Sequence, residues 1–412
     1  MENGELRLIC FANPQIKILN SQFSIIFKGG VFLHKACGII CEYNPFHNGH
    51  KYQIEYAKST LGLPVVCAMS GNFVQRGTAA CMDKSIRAES AIKGGADIVL
   101  KIPFPYSSMT AEKFARAGVV ILSKSGMCSH LLFGSECADT EKLTRIAKLL
   151  TDADADKCIQ VYQSNNKNIS YAMARSLFVK EKLGEEFADI LSNPNDILGV
   201  EYIKAIIETG SGLIPVAMKR SVNRREGADG IFASSSRIRE LADEGETDTA
   251  GTYIPDKGVF AHYRDTSDFY RTLHLSLMAK NPEDLSEICE ISDGLEFALV
   301  KAARASESYG EMLEKLKSKT VTDAKIRRMA LFAFFGVTKE YMTTDVPHTY
   351  VLAMSDTSAA KELMRISRKE KEITVAQKIG ALKKDEFSEA LYNLSRNAER
   401  ILELSTKTTV FD

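Results

Sequence analysis

Six consecutive apolar or small residues, Ala36 to Cys41, precede Asn44-Pro45, and after that step no breaker except Gly49 occurs until Gly62. The run reads as a buried strand. Asn44-Pro45 reads as a turn, because the residue before a proline is pushed to extended backbone, and the stretch after it reads as a helix of about three or four turns closed by Gly62. Leu63–Ser70 reads as a second buried strand and Ser70–Gly77 as a loop. Met82–Gly94 reads as a helix with Asp83 near its start, and Asp97–Ile102 as a third strand stopped by Pro103 and Pro105. An alanine-rich helix, Ser108–Lys124, leads to a fourth strand, His130–Phe133, ending in Gly134-Ser135-Glu136. Strands alternating with helices at a spacing of about thirty residues imply parallel pairing through right-handed crossovers. The expected fold is α/β, a doubly wound parallel sheet with ligands at the carboxyl ends of its strands.

Asp139–Thr209 is helical in pattern, broken at Gly184 and at Asn193-Pro194-Asn195-Asp196. Leu213–Met218 forms a last strand of this part, a polar loop runs to Gly230, and a helix starts on the serines Ser234 to Ser236. Arg271–Thr338 is then a run of helices, Leu285–Ala305, Glu311–Ser318 and Asp323–Phe335. Short strands Tyr350–Met354 and Ile373–Ala376 flank a helix Ala359–Arg368, and a final helix spans Glu386–Leu404. This divides the chain into an extension, 1–35, a first α/β domain, 36–255, and a mainly helical domain with a small α/β element, 256–412. The extension has no assigned role and is compatible with a mis-assigned start; its apolar patch, Phe23–Leu33, is interrupted by Lys28-Gly29-Gly30 and is too short to span a bilayer.

Composition changes this picture little. The 412 residues are long enough for two or three domains, and 45% apolar with 26% charged residues describes an ordinary globular protein. Lys+Arg and Asp+Glu are equal at 53 each, which argues against bulk electrostatic capture of nucleic acid while allowing a local basic groove. Nine cysteines without a CxxC pair, several inside strand-like runs, read as reduced core residues of a cytoplasmic protein.

The chemistry concentrates where the first strand gives way to its helix. A helix N-terminus carries unpaired NH groups and about half a positive charge, so this is where phosphates bind. His47 and His50, at i and i+3, stand on one face of the first turn, and Gly49 lets a flat base approach the backbone. A solvent-exposed His pair and a two-histidine metal site are the alternatives, but no third metal ligand is evident nearby. His-x-Gly-His in this position is the pattern of the HIGH-type nucleotidyltransferase superfamily. Ser234-Ser235-Ser236-x-x-Arg239 is a second phosphate candidate, with Ser235 and Arg237 (or Arg239) as donors; a plain N-cap with surface arginines is the other reading. Gly134, Asn195 and Arg220 sit at or beside strand ends, where a turn glycine, a helix cap and a solvated charge are the ordinary roles. Arg76 and the helical cluster Lys325, Arg327 and Arg328 are candidate RNA contacts.

Glu42-Tyr43-Asn44-Pro45-Phe46-His47-Asn48-Gly49-His50, together with Met69 to Gly77, Arg87-Ala88-Glu89, Phe133 to Glu136 and Asn195 to Tyr202, closely resembles the tRNA(Met) cytidine acetate ligases of bacteria. The resemblance runs from about Ala36 to Leu241 and continues weakly beyond. It implies activation of acetate by ATP, then acetyl transfer to the wobble cytidine of elongator tRNA(Met). It also implies ATP contacts at Ile40, Cys41, Glu42, Tyr43, Asn44, Pro45, Phe46, His47, Asn48, Gly49, His50, Lys51, Tyr52 and Gln53, and at Gly134, Asn195 and Arg220. Magnesium would accompany ATP, with no protein-borne metal site, no membrane and no stable protein partner expected. Departures from the family wording fall at Thr78-Ala79-Ala80, after Arg220 and at the serine cap. The alternatives are an adenylyltransferase acting on a small cofactor precursor and a non-catalytic RNA-binding protein that keeps the fold.

Overall fold

Strand β1 (Ala36–Cys41) is buried at every residue, and its side chains alternate between two cores: Cys37, Ile39 and Cys41 pack on one face, Ala36 and Ile40 on the other. That is what a central strand of a parallel sheet requires, since crossover helices cover both faces. The computed structural model describes residues 35–165, 169–220, 232–292, 294–318 and 321–408; the expected extension up to residue 34 and the polar loop 221–230 lie outside them.

Helix α1 (Asn48–Ser59) returns to β2 (Val65–Ser70), which pairs parallel to β1. The expected loop Ser70–Gly77 contains one arm of a minimal hairpin, β3 (Phe73–Val74) with β4 (Thr78–Ala79). Helix α2 (Lys84–Lys93) starts on Asp83, whose side chain accepts from the Ser85 NH, and β5 (Ile98–Ile102) pairs parallel to β2. Helix α3 (Ala111–Lys124), capped by Thr110, crosses to β6 (Cys128–Ser135), which adds to the free side of β1. Helices α4 (Thr140–Leu150), α5 (Ala155–Asn165), α6 (Tyr171–Leu183), α7 (Glu185–Ile190) and α8 (Pro194–Thr209) come next, and β7 (Ile214–Lys219) pairs parallel to β6. Helices α1 and α2 bury Ile54, Ala57, Ala88 and Ala91 against one face of the sheet, while Phe114, Ala115 and Val119 of α3 belong to the core on the other.

Beyond β7 come α9 (Ser235–Asp243), α10 (Thr247–Gly251), the short β8 (Arg264–Asp265), α11 (Ser267–Met278), α12 (Leu295–Arg304), α13 (Tyr309–Leu316), α14 (Asp323–Phe335) and α15 (Glu340–Thr343). The long helix expected over Leu285–Ala305 begins only at Leu295, because Glu290 and Gly294 hold positive φ, 62° and 85°, and a helix does not run through left-handed backbone. The last elements are β9 (His348–Met354), α16 (Ser358–Glu370), β10 (Thr374–Ala376), α17 (Glu386–Leu404) and β11 (Lys407–Thr408).

The two late strands do not make a separate element. β9 pairs antiparallel to β5 and β10 parallel to β9, so the sheet has seven strands in the order β10-β9-β5-β2-β1-β6-β7 and runs across the expected boundary at residue 255. The described residues from 35 onward form one compact unit, and Phe73 packs tilted or edge-on among Phe104, Phe269 and Phe335, joining sheet and helices in one core. No helix among the described residues is long and apolar enough to cross a membrane. The strand order reverses at β1, which has β2 on one side and β6 on the other, and such a switch point opens a crevice at the strands' carboxyl ends.

Candidate nucleotide site

The chain leaves β1 through Glu42 and Tyr43, the latter at φ 49°, and reaches α1 by the Asn44-Pro45 step. Three side chains of this turn are tied to neighbouring segments. Glu42 Oε1 accepts from the Gln75 NH at 2.9 Å, Tyr43 Oη lies 3.4 Å from Cys67 Sγ, and Asn44 Oδ1 accepts from the Cys81 NH at 2.8 Å. Phe46 packs edge-on to Tyr43 and against Gly94, where a Cβ would fall 2.3 Å from its ring. Burial pushes the Tyr43 phenol and the Cys41 thiol upward, and the Cys81 thiol to about 11, so all three stay protonated at neutral pH.

His47 is the N-cap of α1. Its Nδ1 accepts from the NH groups of Gly49 at 3.1 Å and His50 at 3.3 Å, while His50 Nδ1 accepts from the His47 NH at 3.3 Å. The rings stack with centroids 3.5 Å apart and 16° between planes. Because each Nδ1 is an acceptor, the neutral tautomers carry their proton on Nε2, and both rings present Nε2–H donors side by side.

The helix start itself is not the open anion receptor that the sequence suggests. The Asn48 NH donates to Tyr253 O at 2.9 Å, the Asn48 amide to Thr252 O at 3.2 Å, and the Lys51 NH to His47 O at 3.1 Å. The first-turn NH groups that usually face an anion therefore already have acceptors.

Beneath the turn lies Arg87, 1% exposed. Its guanidinium donates to the carbonyl oxygens of Glu42 at 2.5 Å, Ser70 at 3.3 Å, Met82 at 3.1 Å and Gly71, with no carboxylate in ion-pair contact among the described residues. It clips the segments after β1 and β2 together, and burial lowers its pKa. Asp83, bonded to Asn72 and Arg264, is held well below the usual carboxylate range. Burial works against this, but Lys84, Ser85 and Asn72 outweigh it.

At the end of β6 a second group assembles. Gly134 lies against Arg220, whose Cδ would be 3.0 Å from an added Cβ. Asn195 donates to Glu136 Oε1 at 2.5 Å, and Arg220 Nε stands 3.9 Å from the same oxygen; Glu136 Oε2 has no hydrogen-bond partner. The fully buried Asp196 accepts from Ser135 Oγ at 2.5 Å and from the Glu136 NH at 2.9 Å, fixing the start of α8 on the strand end. Gln53 donates to Leu132 O at 3.2 Å and ties α1 to this strand.

The structure thus places the expected residues in two groups, one at the turn after β1 and one at the end of β6. Ile40 and Cys41 are buried strand residues behind the turn, whereas Lys51 and Tyr52 point to solvent, Lys51 beside Glu55 at 3.7 Å. On α9, Ser234 caps the helix, Ser235 is half-buried, and Arg237 faces outward to Glu240 and Glu244. Arg239, two residues on and across the helix, is the one that reaches the turn, donating to Asn44 O at 2.5 Å. Arg328 is buried on α14 and forks onto both oxygens of Glu290 at 2.8 Å, which removes it from the expected RNA-facing surface. Glu136, Arg87 and Asp196 were not singled out as site residues; only their place just after strand ends or inside the quoted motifs points to them. No cluster of three or more His, Cys, Asp or Glu suited to a metal occurs among the described residues.

Comparison with known proteins gives a consistent picture. A family model described as HIGH Nucleotidyl Transferase matches residues 34–411. The chain is 31% identical over 360 residues to a tRNA(Met) cytidine acetate ligase of Caldanaerobacter subterraneus subsp. tengcongensis, covering 85% of this chain and 90% of that one. It is 33% identical over 361 residues to the protein of the same name from Bacillus velezensis, covering 82% and 86%. Thermotoga maritima TmcAL, solved bound with alpha-thio ATP, superposes with a TM-score of 0.83 at 28% identity over 92% of this chain and 96% of that one.

Proposed function

The chain belongs to the HIGH nucleotidyl transferase family and, within it, to the tRNA(Met) cytidine acetate ligases, and from that membership we propose how its residues carry the reaction. Acetate attacks the α-phosphate of ATP; the new bond joins a carboxylate oxygen to phosphorus, and pyrophosphate leaves. The N4 amine of the wobble cytidine of elongator tRNA(Met) then attacks the acetyl carbon, loses a proton, and AMP departs.

The observation that carries this reading is the stacked His47–His50 pair at the switch point, with both Nδ1 atoms engaged as acceptors. Negative charge grows on the phosphate oxygens as acetate attacks, and donors fixed beforehand stabilise it without reorganising. The Nε2–H groups are those donors. No nucleophilic side chain is needed, which suits the protonated, buried Cys41 and Cys81. At the β6 end, Gly134 leaves room for the nucleoside, Asn195 and Glu136 face its ribose hydroxyls, and Arg220 faces a phosphate. Magnesium enters as the counter-ion ATP brings on its phosphates, and the reaction belongs in the cytoplasm with its tRNA.

The test has two readouts. Purified protein should catalyse acetate-dependent exchange between ATP and labelled pyrophosphate, and tRNA nucleosides from a deletion strain, separated by mass spectrometry, should lack N4-acetylcytidine. Exchange that ignores acetate would favour the adenylyltransferase alternative, and unchanged N4-acetylcytidine in the deletion strain would remove the acetate ligase assignment.

A further inference from the structure

A cleft of about 370 Å³ opens where the hairpin β3–β4, α9, the stretch from β8 into α11, and α14 converge. It adjoins the turn after β1, since Cys81 and Arg239, both in its lining, are the residues that bond Asn44. Four arginines line it, Arg76, Arg239, Arg264 and Arg327, in a protein whose formal charges cancel overall.

These arginines are committed to very different degrees. Arg239 spends Nη1 on the Asn44 carbonyl and Nη2 on the Ser236 hydroxyl. Arg264, its side chain only 10% exposed, is paired with Asp83 through Nη2 at 2.8 Å, yet its Nη1 is buried without a hydrogen-bond partner. Arg76 is exposed and Arg327 half-buried, and neither has a carboxylate within 4.0 Å among the described residues. The acids on the wall do not offset them locally: Glu240 is drawn to Arg237, and Asp243 accepts from the Tyr263 hydroxyl at 2.9 Å. A buried guanidinium nitrogen without an acceptor is costly, so a cleft holding one beside two unpaired guanidiniums is built for oxygens that arrive from outside.

The cleft also holds its shape. At Gly77, φ 74°, an added Cβ would lie 2.7 Å from Arg328 N and 2.9 Å from the Arg327 carbonyl carbon, so the hairpin sits directly on α14 and sets Arg76 beside Arg327. Tyr270 accepts from the Ala79 NH at 3.1 Å and stacks on Tyr309, which fixes the floor. Planar donors in fixed positions match phosphate oxygens better than flexible lysines would.

We infer that this cleft holds backbone phosphates of the RNA acceptor, with Arg76 and Arg327 as the contacts and Arg264 behind them; the identification of the acceptor as RNA rests on the function proposed above. Lys325 does not line the cleft and Arg328 is occupied by Glu290, so neither is part of this surface. Cys81 and Arg239 in the lining bond Asn44, so a strand held on Arg76 and Arg327 lies against the turn that carries His47.

The test compares the wild type with the double variant Arg76→Ala/Arg327→Ala, using an elongator tRNA(Met) transcript and its isolated anticodon stem-loop as probes. Acetate-dependent pyrophosphate exchange should stay within about twofold of wild type, and the Kd for either RNA should rise about tenfold or more. The slope of log Kd against log salt should fall by roughly 0.7 per arginine, the value for single-stranded contacts. Arg76→Lys/Arg327→Lys should recover part of the affinity and the slope. A double variant that binds RNA with unchanged Kd and slope overturns the inference. So does a raised KM for ATP with RNA binding intact, which would give the cleft to the nucleotide's own triphosphate. Wild-type protein without exchange activity would remove the proposed reaction instead, while the paired RNA-binding measurement would still decide the role of the cleft.

Discussion

At the turn after β1, the backbone donors from Asn48 to Lys51 all have acceptors within the protein, supplied by His47 and Tyr253. In the cleft that adjoins it, the Arg264 Nη1 is buried without an acceptor, and Arg76 and Arg327 have no carboxylate within 4.0 Å among the described residues. Under the function proposed above, the contrast follows from the ligand each region would hold. A transition state at phosphorus is small and fixed, so its donors gain by being locked in place before it forms. An RNA backbone is long and repeats its charge, so it is better met by several guanidiniums held in fixed positions with donors left over for successive phosphates. The turn also shows that a helix N-terminus in the right place does not by itself supply phosphate-binding NH groups, because here the cap has taken them.

His47→Asn breaks the comparison hardest. Asparagine is as good an N-cap as any residue, so α1 should keep its start and stability should change by less than about 1 kcal/mol in urea titrations. The imidazole Nε2–H disappears, and acetate-dependent exchange should fall by roughly 10²–10³-fold, the cost of losing one oxyanion donor. Near-normal exchange in this variant would mean the ring serves only as a cap. His47→Ala cannot make that distinction, since it loses cap and donor together.

Next in size is the joint between the late elements and the sheet. Glu399 on α17 forms ion pairs with Lys101 of β5 at 2.5 Å and Lys84 of α2 at 3.1 Å, all of it largely out of water. Glu399→Gln leaves Lys101 buried beside a neutral group and should cost about 3 kcal/mol of unfolding free energy. The sign of the pH effect is fixed. Burial alone would raise the Glu399 pKa, but Lys101 and Lys84 lower it below its unfolded value. Its contribution is therefore full above the unfolded pKa and lost as pH falls through the folded one. Wild type should destabilise more steeply than Glu399→Gln as pH drops below about 4.5. Parallel pH profiles for the two proteins would show that the pair carries none of the acid sensitivity.

That joint also marks where sequence reasoning stopped. Helices Asp323–Phe335 and Glu386–Leu404 occur with the expected ends, and the strand–turn–helix of the first motif was legible because apolar runs, Asn-Pro and glycine act over a few residues. Which strand β9 would join was not legible, because Ile98 meets Met354 and no local pattern encodes a pairing that distant. Polar partners fail in the same way. Arg237 and Arg239 look alike in sequence, yet they stand on different sides of one helix turn and only Arg239 meets Asn44; Arg327 and Arg328 are neighbours, yet Glu290 claims one and leaves the other in the cleft. Residue type was readable, and the direction of a charged side chain was not.

The smallest expected effect tests whether the β6 end belongs to the nucleotide surface with the turn. In Gly134→Ala the new methyl would meet Arg220 at 3.0 Å from Cδ and 3.1 Å from Cγ, both in a flexible side chain, so the strand can stay while Arg220 shifts. The KM for ATP should rise less than tenfold, which is under about 1.4 kcal/mol, with kcat and urea midpoint unchanged. If displacement of Arg220 is the cause, Gly134→Ala adds nothing in an Arg220→Ala background, because both changes then remove one contact and their effects do not sum. Full additivity would mean that the methyl group blocks the ligand itself. No change in KM for either single variant would detach this strand end from ATP, leaving the histidine turn as the nucleotide site alone.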